Sequence, residues 1–296
     1  MRKKTTYRNP VSTSKYTGLL LISPFLIGVA AFFIYPFISS FIMSLYNYKM
    51  NITPDFIGID NYKNILSDKA VTESFCVTLK YIFTLVPLKM IFSLCVALIL
   101  NMELKYMGVF RTIYYVPSIL GSNIAIIILW RYLFTTDGLV NQVLGITGLP
   151  AVSWYGEPVP ALWTIVLLRV WEFGSCMVIF LAALRDIPKE QYEAAKVDGC
   201  GKVRAFFRIT LPAIKNVFIM NFIIQLITAF QEFNAPFLIT GGNPLKKTYT
   251  FAMLIYDEAF AYNNFGYANA LSWILFTVTF IVISIILILW NRLKKD

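Results

Sequence analysis

Six apolar runs near residues 17–45, 76–101, 113–133, 160–184, 216–240 and 268–290 approach or exceed the roughly 20 residues that cross a hydrocarbon core. Inside a bilayer no water satisfies backbone N–H and C=O groups, so such runs are confined to helices that bond internally. The expected fold class is therefore an all-α integral membrane protein of six transmembrane helices. Spans and connections consume nearly all of the 296 residues. They leave a tail over 1–16, a membrane domain over 17–291 and a second tail over 292–296. Composition agrees: 58% of residues are hydrophobic and 14% charged, against roughly 45–50% and 25% in soluble domains. Arg2, Lys3, Lys4, Arg8 and Lys15 precede the first run like the basic segment of a secretory signal. That run is too long for a signal and lacks a small-residue cleavage pattern, so it reads as an uncleaved first span.

An even number of spans puts both termini on one side, and Lys and Arg choose the side because they accumulate in cytoplasmic loops. With the termini inside, the cytoplasmic segments hold 17 of the 26 basic residues and the outer loops hold 5. Seven of the 17 lie in one loop, about 185–215: Arg185, Lys189, Lys196, Lys202, Arg204, Arg208 and Lys215. The expected location is a bacterial cytoplasmic membrane, crossed several times, with both termini cytoplasmic. The net charge of +10 sits in loops between apolar runs rather than on a stripe of a soluble fold, so nucleic acid is not an expected partner. Histidine is absent, which removes the commonest metal ligand. Cys76, Cys95, Cys176 and Cys200 lack paired spacing. Neither a metal site nor a disulfide framework is expected.

The basic loop is more than a tether. Ile187-Pro188 stops one helix, residues 189–198 read as another with alanines at its centre, and Gly199 permits a sharp turn. An amphipathic stretch follows over Val203–Ile209, closed by Leu211-Pro212 before the fifth span. Within it, Glu193-Ala194-Ala195, then Gly199, then Ile209, Leu211 and Pro212 resemble the EAA loop of binding-protein-dependent ABC importer permeases. The match includes the three-residue gap before the glycine and the nine-residue gap before the isoleucine. Asp198 and Ile187-Pro188 fit the carbohydrate-type branch of that family, whereas Cys200 stands where alanine is usual. The resemblance extends to Phe56, Gly58, Asn61 and Tyr62, to Phe110-Arg111 with Pro117, and to Gly138 and Asn141. It continues in Trp171 with Phe180-Leu181-Ala182, and in Phe230, Phe233 and Thr240-Gly241-Gly242 with Pro244; Asn243 departs from the usual glycine.

The resemblance implies a type I importer permease fold whose cytoplasmic helix-turn-helix couples to an ATPase. Glu193, Ala194, Ala195, Asp198, Gly199, Ile209, Leu211 and Pro212 would dock there, with Phe206, Phe207 and Ile209 filling a pocket. The alternative is a loop that packs only on its own spans. No phosphate-cradling G-x-x-x-x-G-K-[ST] motif is present; Gly199-Cys200-Gly201-Lys202-Val203 mimics only its end. The chain is thus expected to bind no cofactor and to be no enzyme, with ATP and magnesium held by a separate pair of ATPase subunits. A second permease subunit and an extracytoplasmic solute-binding protein complete the implied partners, beside membrane lipid and a sugar-like solute.

Ionisable groups inside spans cost roughly 2.5–3.5 kcal/mol each on insertion scales, so they mark wet cavities or partners. Arg169 and Glu172 lie one turn apart and can pair. Asn221, Gln225, Thr228 and Glu232 recur at helical spacing as a polar stripe, which Gln231 and Asn234 widen at its outer end. With Trp171 nearby, such a stripe suits a polyol: amides and carboxylates bond hydroxyls, and an aromatic face stacks on a sugar ring. The sugar branch of the family places its membrane solute site on these two helices. The plainer reading is that the stripe only hydrogen-bonds neighbouring helices. Lys80, Lys89 and Arg169 leave an acidic sugar or glycerol phosphate open as the solute. More remote readings are an ion-coupled secondary transporter, which has no use for the EAA spacing, and a membrane enzyme using Glu172 and Glu232, which lack a nucleophile or metal set beside them.

Overall fold

The computed structural model describes residues 15–50, 53–102, 107–121 and 123–293. Arg2, Lys3, Lys4, Arg8, Lys105, Lys294 and Lys295, counted above for orientation, lie outside that set. The described chain is almost entirely helical. The first rod is α1 (Lys15–Val29) and α2 (Tyr35–Ser44), joined by a π turn over Ala30–Ile34. A two-stranded hairpin follows, β1 (Tyr46–Asn47) against β2 (Asp55–Phe56), with Tyr46 opposite Phe56. The amide of Asn61 donates to the carbonyls of Ser44 and Tyr46 at 2.8 and 3.0 Å, and Ser44 shares a hydrogen bond with Tyr62. Asn61 lies in α3 (Asp60–Ser67), so the outer-loop residues tie the hairpin to the helix after it.

At the centre runs α4 (Lys69–Leu100), 32 residues capped by the Asp68 carboxylate accepting from the Ala70 N–H. Tyr81, Val86, Met90, Ser93 and Ala97 are fully buried along it, because it packs against α8 (Pro158–Trp171), α9 (Gly174–Arg185) and α12 (Leu211–Phe230). Between α4 and α8 come α5 (Met107–Leu120), α6 (Ile124–Leu133) and α7 (Leu139–Ile146). Asn141 in α7 uses its whole amide locally. It donates to the carbonyls of Thr136 and Val152 and accepts from the Val152 N–H and the Trp154 indole. The cytoplasmic-loop candidate forms α10 (Lys189–Val197) and α11 (Lys202–Ala205). After α12 come α13 (Asn234–Ile239), α14 (Phe251–Tyr256) and α15 (Phe265–Leu293).

Four helical segments are long and apolar enough to cross a membrane: Gly18–Ser44, Lys69–Leu100, Lys202–Phe230 and Phe265–Arg292. Two further crossings require a bent pair each, α5 with α6 and α8 with α9. Of the six expected runs, the first, second and sixth are thus single rods, the third and fourth are bent pairs, and the fifth is a long rod followed by a break. Two boundaries also differ. The fifth run, expected over 216–240, ends as a helix at Phe230 and restarts at Asn234. Its start lies earlier, because Lys202–Phe230 is one continuous helix instead of a stretch closed at Leu211-Pro212. Proline lacks an N–H and its ring crowds the carbonyl four residues back. Here a π turn over Phe206–Thr210, with the Leu211 N–H reaching Phe206 O, adds the room. Pro36 follows the Ala30–Ile34 π turn in the same way.

Candidate functional site

Three interruptions of helical backbone converge: between α5 and α6, between α8 and α9, and between α12 and α13. Irregular backbone within an apolar layer is tolerated only where protein or a wet cavity satisfies it. At the second break the Ser118 hydroxyl does so, donating to the Glu172 carbonyl and accepting from the Ser175 N–H, and at the third a charged side chain does. Glu232 sits in the third break, where its Oε1 accepts the Ala235 N–H at 3.1 Å and caps α13. The Glu232 carbonyl accepts from Thr250, and the Thr78 hydroxyl accepts from the Phe251 N–H, so α14 is drawn onto the same junction.

Arg169, near the end of α8, binds both carboxylates. Its Nε and one terminal nitrogen reach Glu232 Oε2 and Oε1 at 2.8 Å each, a bidentate pair. Its other terminal nitrogen reaches Glu172 Oε1 at 2.6 Å, within the second break. Side-chain exposures of 11% for Arg169, 12% for Glu172 and 6% for Glu232 put the network away from bulk solvent. The Tyr81 hydroxyl approaches Glu232 Oε2 at 3.5 Å. The expected Arg169–Glu172 pair is thus a triad, and its second carboxylate comes from another helix 63 residues away.

A cavity of about 330 Å³ opens over the triad. Gln225, Thr228, Gln231 and Asn234 line it with Arg169, Glu172 and Glu232. Two expected members are elsewhere. Asn221 is fully buried and donates to the Cys176 carbonyl at 3.0 Å, tying α12 to α9. Trp171 tilts against Trp130 at 5.8 Å between ring centroids and is not part of the cavity lining. Asn221 shares the helix face of Gln225 and Thr228 but lies one turn nearer the start of α12, where α9 covers that face. Sequence reasoning left Lys89 off the solute path; it lines the cavity beside Leu85, Ala229 and Phe233. Its signal was a lysine in mid-span, but which wall it faces depends on how α4 packs.

Gly121, in the first break, permits the close approach. A Cβ there would overlap Cγ, Cδ and Oε1 of Glu172. Because Arg169 holds that carboxylate, it has little freedom to yield. Gly121→Ala should cost about 1–3 kcal/mol as an overpacking change and weaken the Arg169–Glu172 bond. A melting temperature in detergent equal to that of the unaltered protein would refute this.

The candidate docking segment is split by burial. Glu193, Ala194, Asp198 and Pro212 are exposed, as is Val197 at 88%, and Gly199 adopts φ +75° at the turn. Ala195 and Leu211 are half-buried. Phe206 and Ile209 pack inward on the chain's own core, while Phe207 stays exposed. Of the three side chains expected to fill a partner's pocket, Phe207 is therefore the exposed one, and Phe206 and Ile209 are half-buried. The Tyr192 hydroxyl, bonded to Thr210 Oγ1 at 2.8 Å, fastens α10 to the start of the fifth rod.

Comparison with known proteins agrees with this architecture. The family model described as "Binding-protein-dependent transport system inner membrane component" matches residues 103–294. The probable ABC transporter permease protein YesP of Bacillus subtilis is 39% identical over 265 residues, covering 88% of this chain and 86% of that one. The trehalose/maltose transport system permease protein MalF of Thermococcus litoralis is 34% identical over 287 residues, covering 94% and 95%. Among solved structures, a chain of a bacterial alginate ABC transporter, crystallised with an alginate pentasaccharide-bound periplasmic protein, superposes with a TM-score of 0.83 at 21% identity. That superposition covers 95% of this chain and 96% of the other and bears on the fold. The chain therefore belongs to the inner membrane components of binding-protein-dependent transport systems, the permease subunits of ABC importers.

Proposed function

We propose that this permease passes a sugar or oligosaccharide into the cell, and that the cavity at the three helix breaks is part of its path. The observation that carries the reading is the lining. Gln225, Gln231 and Asn234 amides, the Thr228 hydroxyl and the Glu172 carboxylate surround a space of about 330 Å³, at the lower end of the roughly 300–1,000 Å³ usual for small-molecule sites. Such groups both donate to and accept from hydroxyls. The Thermococcus litoralis relative, a trehalose/maltose permease by name, supports the same class.

The partners proposed are a second permease subunit, two ATPase subunits holding ATP and magnesium, and an extracytoplasmic solute-binding protein. The rod Gly18–Ser44 supports the second permease: none of its most apolar stretch is buried in this chain, so it is available to another subunit as well as to lipid. The basic residues of 185–215 support a cytoplasmic position for α10 and both termini, where exposed Glu193, Ala194 and Asp198 would meet an ATPase.

Proteoliposomes containing the whole assembly and its binding protein test the reading. Labelled oligosaccharide should accumulate only with ATP, and ionophores that collapse proton or sodium gradients should leave uptake unchanged. Uptake that proceeds without ATP and stops with ionophore would overturn it.

A further inference from the structure

Four ionisable side chains line the cavity: Lys89, Arg169, Glu172 and Glu232. Three of them satisfy one another. Each guanidinium nitrogen of Arg169 has a carboxylate oxygen, and both Glu232 oxygens are further engaged by Tyr81 and the Ala235 N–H. Glu172 spends Oε1 on Arg169. Lys89 stands apart. It is only 9% exposed, and among the described residues its ammonium makes no direct hydrogen bond or ion pair; the charges of Glu172 and, more weakly, Glu232 reach it only at longer range.

A buried ammonium with three unused donors is costly to insert into a membrane and keeps its charge only beside water or an anion. Leu85, Ala229 and Phe233 are the apolar members of the same lining and offer it no partner. Solute hydroxyls have other partners here, in the amides and the threonine. A hydroxyl would also return to the ammonium only a neutral acceptor, whereas a carboxylate returns a charge-assisted bond roughly twice as strong. We infer that Lys89 reads charge on the solute: its ammonium takes the carboxylate of an acidic saccharide, while Gln225, Thr228, Gln231 and Asn234 take the hydroxyls.

This rests on the saccharide reading above, and the experiment separates the two. Equilibrium binding is measured on the permease–ATPase assembly in nanodiscs, without the binding protein, using disaccharide pairs that differ by one carboxylate. Cellobiose against cellobiouronic acid serves for the β-1,4 linkage, and maltose against its uronic acid counterpart for the α-1,4 linkage. The acid of at least one pair should bind about tenfold or more tighter, and added salt should narrow that margin. Lys89→Met should remove the margin between acid and neutral sugar, and Lys89→Arg should keep it. Lys89→Gln, polar and uncharged, guards against a folding defect peculiar to Met. A margin that survives in both uncharged variants, or neutral sugars bound as tightly as acids by the unaltered protein, would overturn the role of Lys89 and leave the saccharide path standing. No binding of any of the four sugars, with ATP-driven uptake of a non-sugar solute, would overturn both.

Discussion

Arg169→Met should abolish solute uptake and destabilise the protein by about 3–5 kcal/mol, the usual consequence of removing one partner from a buried ion network. The change leaves Glu172 and Glu232, at 12% and 6% side-chain exposure, without their shared cation. Because Glu232 also caps α13 and its carbonyl holds Thr250, the damage should spread to the junction of α12, α13 and α14. Arg169→Lys should rescue little, since one ammonium cannot reproduce a bidentate contact to Glu232 and a third bond to Glu172. Adding Glu232→Gln to Arg169→Met should restore part of the melting temperature by removing a stranded charge, and none of the uptake. Measured together, melting in detergent and uptake in proteoliposomes separate the two effects. Arg169→Met with unaltered melting and uptake would remove the triad from any role.

Gly199→Asp should leave insertion and assembly intact, leave ATP hydrolysis running, and cut uptake at least about tenfold. The site allows this separation. Gly199 adopts φ +75°, and a Cβ there would meet nothing within 4 Å, so the core does not feel the change. Alanine supplies the control. Left-handed backbone costs an ordinary L-residue roughly 1–2 kcal/mol, and Asp tolerates it better than Ala. If local strain alone mattered, Gly199→Ala would impair uptake more than Gly199→Asp. If the exposed turn meets an ATPase, added charge at the contact makes Asp the worse of the two. Hydrolysis and uptake falling in parallel, or Ala proving the more harmful, would count against docking by this turn.

Much of the molecule is legible from residue order because a bilayer leaves the backbone few choices. Uninterrupted apolarity over about 20 residues admits only a helix, so the elements and their sequence follow from the runs themselves. The EAA spacing is a local pattern on adjacent turns, and it points to the family without any tertiary information. Arg169 and Glu172, three residues apart, are neighbours on any helix. Asn61 and Asn141 stand out by resemblance, but their networks of short-range carbonyl contacts become visible only once the turns are formed.

Order along the chain settled the helical class, the number of apolar runs, the importer family and the candidate charges, because each depends on contacts within a few residues or on transfer out of water. Packing decided the rest. It brought Glu232 to Arg169 across 63 residues, buried Asn221 against α9, turned Trp171 onto Trp130 and Phe206 onto the core, and aimed Lys89 into the cavity. These outcomes depend on the rotation of each helix about its axis and on where prolines widen a turn or a span breaks. Such angles are set by which neighbouring surfaces fit together, and a linear pattern of polar and apolar residues does not contain that information.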